Sequence, residues 1–308
     1  MELILHQYDF SNYAEKVRLA LGYKGLSWRA VEIPPVAPKP DLVPLTGGYR
    51  RTPVLQIGAD IYCDTRLILR VLERLAPEPS LFPESTVGLA NAVSQWAETQ
   101  LFRPISLYVS GTNADVLPPN LQADRSAMRG LPPPDAATME RAAKRNAPLV
   151  RVGLSRVENM LTDGRDWILG ETVTIADFSV YHALWFITGR TTRLEHELEP
   201  FDAIKAWMKR MRAFGHGHVE PMSPAEALNI AAASEPMPPA ASAPFPEDPD
   251  LGATVRIRAD DYGRDAIEGK LVYIDSEEIA VQRSDPRVGE VTVHFPRLGY
   301  DLRTSKNR

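Results

Sequence analysis

The chain has 308 residues, enough for about two domains, and its 44% hydrophobic and 24% charged residues describe a globular protein with real cores. Thirty-five basic residues against 40 acidic ones leave a net charge of −5, which argues against a generally basic nucleic-acid binder. The single cysteine, Cys63, excludes an intramolecular disulfide framework and fits a reducing compartment, and no apolar run approaches the ~20 residues of a membrane span.

Residues 3–8 predict a short strand. Asn12 stands three residues before Glu15, the spacing of a helix capping box, and Tyr13, Val17, Ala20 and Leu21 follow at helical spacing until Gly22 and Gly25 close the pattern. Residues 28–33 predict a second strand, after which the loop PPVAPKP carries the chain away. Residues 53–57 and 60–63 flank Gly58-Ala59 as an antiparallel hairpin. Residues 65–75 predict a helix that buries Leu67, Ile68, Val71, Leu72 and Leu75. This order describes an α/β unit over residues 1–80. The N-terminal segment lacks a basic region followed by a long hydrophobic stretch, so the expected location is the cytoplasm.

From residue 87 the pattern is helical. Residues 90–108 offer Val93, Trp96, Ala97, Leu101 and Ile105 for packing, with Pro104 placed to kink the helix. A short helix is expected over 121–128, a longer one over 138–161 that bends or breaks near Pro148, and two more over 174–186 and 203–214. Together they predict an all-α domain over 87–225. Thr174 and Asp177 cap the apolar helix that follows them, so Asp177 reads as structural. Residues 231–250 hold six prolines and six alanines and predict a semi-extended linker, or a strap docking through Pro238, Pro244 and Phe245. The period then becomes two. Strands at 254–258, 270–274, 278–282 and 290–295, separated by turn formers, predict a small β-barrel or rolled β-sheet over 251–308. Its ten basic and ten acidic residues balance, which gives nucleic-acid binding little support, and its small size predicts docking onto the helical domain or a partner.

The chemistry gathers in the first unit. Ser11 lies where the first strand gives way to the first helix, beside free helix N–H groups and the positive end of the dipole. A hydroxyl there can donate to a ligand's thiolate and lower the thiol pKa, or simply cap the helix. A cis Thr52–Pro53 bond would present the Val54 backbone to an extended ligand. Thr65 can cap the next helix, and its hydroxyl and the free N–H groups can hold a carboxylate. His216-Gly-His218 looks like a metal pair, but only Glu220 is near enough in sequence to help, so two exposed histidines at a helix end are expected and no metal site is.

The segments SNYAEKVRLAL from Ser11, GGYRRTPVLQ from Gly47, DTRLI from Asp64 and VTIADFS from Val173 resemble, in this order and spacing, the glutathione transferase superfamily over residues 1–225. The resemblance is to a bacterial, serine-type-like member. It implies a thioredoxin-like N-terminal domain, a helical C-terminal domain and a homodimer, with glutathione as co-substrate and no metal. By the same resemblance Pro53 is the cis-proline, Val54 pairs with the cysteinyl part of glutathione, and Asp64 and Thr65 hold the γ-glutamyl end. Arg51, and more weakly Lys39, meet the glycyl end. Ser11 supports the thiolate, with Tyr8 as a competing hydroxyl, although Gln7 aligns nearest the tyrosine-type position. Neither Ser11 nor Ala14 is cysteine, which disfavours thiol–disulfide exchange, and Cys63 is expected to be buried and inert. Phe10, Phe102, Tyr108, Tyr181 and Trp185 are the candidates to line a pocket for an apolar electrophile, with core packing as the alternative for each. The C-terminal β unit departs from the two-domain plan. It resembles extra domains on some bacterial transferase-like proteins, and capping of the active site or architectural support is expected. The implied function is a glutathione-dependent transferase acting on a small apolar electrophile, with no nucleic acid or membrane partner. The alternatives are a low-turnover glutathione-binding or protein-interaction module, and a chain that keeps the fold but has lost the thiol ligand.

Overall fold

A computed structural model describes residues 2–189 and 191–305. The N-terminal domain runs β1 (Ile4–Gln7), α1 (Asn12–Tyr23), β2 (Ser27–Glu32), α2 (Val43–Thr46), β3 (Val54–Ile57), β4 (Asp60–Cys63) and α3 (Thr65–Leu75). β1 lies parallel to β2 and antiparallel to β3, and β3 forms the expected hairpin with β4. Alternation along these strands sends Leu3, Leu5, Leu55, Ile57 and Tyr62 to the face covered by α1 and α3, and Ile4, Val54, Ile61 and Cys63 to the other. At the first helix the capping role allowed for Ser11 is realised and the Asn12 box is not; at α3 the cap shifts by one residue. Ser11 caps α1, its Oγ accepting the Ala14 N–H at 3.2 Å. The Asn12–Glu15 box does not form, because Asn12 reaches His182 while Glu15 turns to Arg18 and His216. Asp64 rather than Thr65 caps α3, accepting the Arg66 N–H at 3.0 Å from a left-handed backbone with φ of 74°.

The middle domain is all-helical: α4 (Val87–Trp96), a π turn (Ala97–Leu101), α5 (Phe102–Thr112), α6 (Pro119–Ala127), α7 (Ala136–Leu161), α8 (Ile175–Thr188) and α9 (Asp202–Arg212). The irregularity expected from Pro104 takes the form of that π turn. Proline has no N–H to continue the ladder, and its ring crowds the carbonyl four residues back, at Gln100. Of the bend or break expected near Pro148, the break does not occur: α7 is one helix of 26 residues. Pro148 sits on the solvent side while Val150, Leu154 and Val157 are buried, so packing on one face holds the helix through its missing bond. α8 is buried along nearly its whole length and is started by a capping box between Thr174 and Asp177.

Beyond α9, where the sequence predicts an all-α domain up to residue 225, β5 (His218–Met222) instead joins the N-terminal sheet parallel to β2, and α10 (Pro224–Ala232), capped by Ser223 and Glu226, runs into the first residues of the expected linker. The Pro/Ala segment then crosses the sheet as a strap. The Met237 N–H donates to Asp60 Oδ2 at 2.8 Å and the Ala243 N–H to the Ile274 carbonyl at 3.0 Å.

The C-terminal β domain holds β6 (Thr254–Ala259), β7 (Ile267–Ile274), β8 (Glu278–Asp285), β9 (Gly289–Pro296) and β10 (Tyr300–Thr304). It is an open antiparallel sheet rather than a closed barrel. β9 pairs parallel with β4, from Asp60↔Thr292 to Tyr62↔His294, so one sheet of ten strands runs β10-β6-β7-β8-β9-β4-β3-β1-β2-β5. Ile257, Ile267, Leu271, Ile279, Val281, Val293 and Phe295 join Ile4, Leu42, Leu45, Val54 and Ile61 in one core. The domain therefore seats chiefly on the N-terminal sheet, and meets the helical domain through the turn between β6 and β7, where the Gly263 N–H donates to the Met128 carbonyl. At the seam His294 bridges Asp60 at 2.9 Å and Glu278 at 2.6 Å and stacks on Tyr62.

Candidate functional site

A cavity of about 680 Å³ opens where the β1–α1 turn, the 50–52 loop, α5, α6 and residues 131–135 meet. Ser11 stands in its wall because it caps α1, and α1 is held in place by the helical domain. Lys16, fully buried, pairs with Glu98 of the π turn, which also accepts from Ser179 Oγ at 3.1 Å. Burial alone would raise the Glu98 carboxyl, but the charges of Lys16 and Arg66 draw it down to about 2. Asn12 and His182 Nδ1 are 2.8 Å apart, and burial lowers that imidazole to about 3, so it stays neutral. A π turn carrying a buried charge against a helix start is the kind of local irregularity that often marks a functional region.

Around Ser11 the polar groups face inward. Ser11 Oγ accepts from Ala14 and donates to no described residue. The hydroxyls of Tyr13 and Tyr262, both in the wall, make no hydrogen bond among the described residues. Thr52, joined to Pro53 by a cis bond, lies in the wall, and neither its N–H nor its carbonyl is bonded to another described residue. Arg50, Arg51, Arg125 and Arg129 give this half a positive rim. The other half is apolar, formed by Phe10, Phe102, Phe186, Leu117, Leu121 and Met139.

The expected site residues divide. Ser11, Tyr8, Phe10, Arg51 and Phe102 line the cavity together. Tyr8 is largely buried, its ring 4.6 Å from Phe10 and its hydroxyl accepting from Arg125 at 2.8 Å. Lys39 is buried behind the wall, donating to Thr52 Oγ1 at 2.9 Å, and burial with nearby Arg125 lowers its ammonium to about 7. Val54 does not face the cavity. It is fully buried in the ladder between His6 and Cys63, and Thr52 offers the free peptide groups instead. Asp64 and Thr65 adjoin the site without opening onto it. Tyr108, Tyr181 and Trp185 do not line it either. Tyr108 donates to Glu197 at 2.7 Å, Tyr181 is buried against Trp207, and Trp185 packs under Gly189. Tyr13, Phe186 and Arg125 also line the cavity, and the sequence carries no local sign of it: Tyr13 follows the ordinary helical spacing of α1, and Arg125 lies on a helix with little periodicity.

The remaining candidates are structural. Asp177 is fully buried and accepts from the N–H groups of Ile168 and Thr174 and from Trp207 Nε1, at 2.9 to 3.0 Å. Cys63 is fully buried, and burial pushes its thiol well up. His216 is not simply exposed: it meets Glu15 at 3.1 Å, while His218 lies exposed on β5. Among the described residues no cluster of three or more His, Cys, Asp or Glu is arranged for a metal, and no helix is long and apolar enough to cross a membrane.

Residues 5–80 match the glutathione S-transferase N-terminal domain and residues 121–213 the glutathione S-transferase C-terminal domain. The chain belongs to the glutathione S-transferase superfamily, with a C-terminal β domain added to the usual plan. A GST-like protein from Pseudomonas syringae is 38% identical over 99% of both chains, with a TM-score of 0.81, so that likeness runs through the β domain. FzlA from C. crescentus is 22% identical, covering 69% of this chain and 88% of its own, with a TM-score of 0.54. A glutathione S-transferase from Methylobacterium radiotolerans, solved in complex with glutathione sulfonate, is 20% identical over 72% of this chain and 98% of its own, with a TM-score of 0.53. These last two share the fold alone. No curated protein matches the chain.

Proposed function

We propose that the chain is a glutathione-dependent transferase that activates the glutathione thiolate for attack on a small apolar electrophile. The observation that carries this reading is the free Ser11 O–H at the start of α1, in the wall of a cavity with one cationic and one apolar half. The tripeptide runs along Thr52 with its glycyl carboxylate toward Arg51, and its γ-glutamyl end reaches for Asp64 and Thr65. Ser11 donates to the sulfur, which favours the thiolate over the thiol, and the released proton goes to water. The electrophile sits against Phe10, Phe102 and Phe186. The thiolate electron pair forms the C–S bond as the leaving group departs with its own pair. Tyr8 is the second hydroxyl at this site, held by Arg125. The reading includes a cytoplasmic location and a homodimer. With β4 and the flank of α3 covered by the β domain, through Arg74–Glu278 at 2.8 Å for example, the dimer contact falls elsewhere.

Calorimetric titration with glutathione, on wild type, Ser11→Ala and Thr65→Ala, tests it. Saturable binding, weakened by Thr65→Ala and retained in Ser11→Ala with a raised thiol pKa by ultraviolet absorbance, is expected. No wild-type binding at millimolar glutathione refutes it. One observation favours the second reading, a low-turnover binding or interaction module: Arg51 and Asp64 are already engaged by the β domain.

A further inference from the structure

The β domain reaches the site at two places. In the turn between β6 and β7, the Asp261 carboxylate and the Tyr262 carbonyl both accept from Arg51, and the Tyr262 ring lies 4.1 Å from that guanidinium. The Gly263 N–H donates to the Met128 carbonyl at 2.7 Å and latches the turn to the end of α6. Gly263 is left-handed with φ of 59°, a conformation that favours glycine, and an added Cβ would come within 2.8 Å of the Met128 methyl group. From β10, the Tyr300 hydroxyl lies 3.2 Å from Asp64 Oδ2. Thr65 is only 4% exposed.

Arg51 is the group that would meet a ligand carboxylate, and it holds the carboxylate of Asp261. Asp64 is the group that would meet a ligand ammonium, and it holds the O–H of Tyr300. Each anchor carries an internal group of the same hydrogen-bonding kind as the ligand group it awaits.

We propose that the 260–265 turn and Tyr300 form an intramolecular gate that competes with the charged ends of a peptide thiol for Arg51 and Asp64. The gate rests on the glutathione reading above. When only a fraction of molecules is open, the apparent Kd is the intrinsic Kd divided by that fraction. The closing contacts are weak enough for a ligand to displace. Asp261 is half exposed, although Arg51 is only 13% exposed, so the ion pair is partly solvated and contributes modestly. The turn swings on its latch without breaking the β4–β9 seam, because β8 lies between β7 and β9.

The full chain and the double variant Asp261→Asn/Tyr300→Phe are titrated with glutathione by calorimetry, with hydrogen exchange followed over residues 260–266. Asn keeps the size of Asp, and Phe keeps the ring that packs 5.3 Å from Phe295, so the fold is retained, with a slightly lower melt because the buried Tyr49 hydroxyl loses its partner at 3.3 Å. The gate predicts faster exchange in the turn and an apparent Kd lowered about three- to tenfold. Faster exchange with equal or weaker binding makes the turn a wall that helps hold the ligand. That overturns the gate and leaves the glutathione reading standing. Unchanged exchange refutes the claim that these contacts hold the turn shut. Faster exchange with no binding by either form overturns the glutathione reading itself, and the gate with it.

Discussion

Replacing Glu98 by glutamine should destabilise the protein more than almost any other single polar change. Lys16 has no exposed surface, and its ammonium pairs with Glu98, whose other partners are Ser179 at 3.1 Å and Arg66 at 3.8 Å. Glutamine leaves a buried ammonium without a countercharge, which costs about 3–5 kcal/mol. The carboxyl itself points to the same magnitude. It is held at about 2 instead of 4.5, which corresponds to about 3 kcal/mol of linked stability. Because this pKa is depressed, the contribution is present above the ordinary carboxylate range and is lost as pH falls toward about 2. Lys16→Met should be comparably harmful, while the double variant strands no charge and should recover about 2 kcal/mol over either single change. Urea unfolding followed by tryptophan fluorescence measures all four corners of the cycle. A Glu98→Gln protein within about 1 kcal/mol of wild type, or a double variant as unstable as the two losses added, refutes the argument. The pair also anchors the helix that starts at Ser11. Glu98→Gln should therefore weaken glutathione binding and stability together, unlike Ser11→Ala.

Two further predictions concern the joins between domains. His294 bridges Asp60 and Glu278, and although burial opposes the charged ring, those two carboxylates raise its pKa overall. The stabilisation is therefore complete below the ordinary histidine pKa and lost as pH rises through the raised one. The protection factor of the Thr292 N–H, bonded to the Ala59 carbonyl, should fall across that range in wild type and stay level in His294→Gln; a protection factor that falls equally in the variant contradicts this. At Gly22, an added methyl would overlap the Gly215 carbonyl, where α1 meets the chain leaving α9. Gly22→Ala should lose about 1–3 kcal/mol despite the better helix propensity of alanine, and a stability gain in thermal melts would show that the contact relaxes.

Much of the local architecture was legible because its causes are local. Spacings of three and four residues marked α1, α3 and α8, alternation marked the C-terminal strands, and T-x-x-D marked the start of α8 with Asp177 as its support. Ser11 was legible as a hydroxyl at a strand–helix junction. The local signals failed where a distant partner intervened. The Asn12–Glu15 box lost its members to His182, Arg18 and His216. Pro148 did not break α7, because the opposite face of that helix is packed. Tyr181 and Trp185 read as pocket aromatics, but an aromatic on a wholly buried helix has the same local pattern whether it faces a cavity or a neighbour.

By itself the sequence determined the superfamily, the element types, an added all-β unit and the hydroxyl at the start of α1, since each follows from residue order over short spans. Only the tertiary structure decided that β9 extends the N-terminal sheet along β4, and that Tyr262 and Tyr300 come to lie over Arg51 and Asp64. An alternating strand has the same pattern whether its edge is free or paired. A turn residue some 200 positions from the site carries no local mark of it, because that proximity arises from sheet register and a shared core.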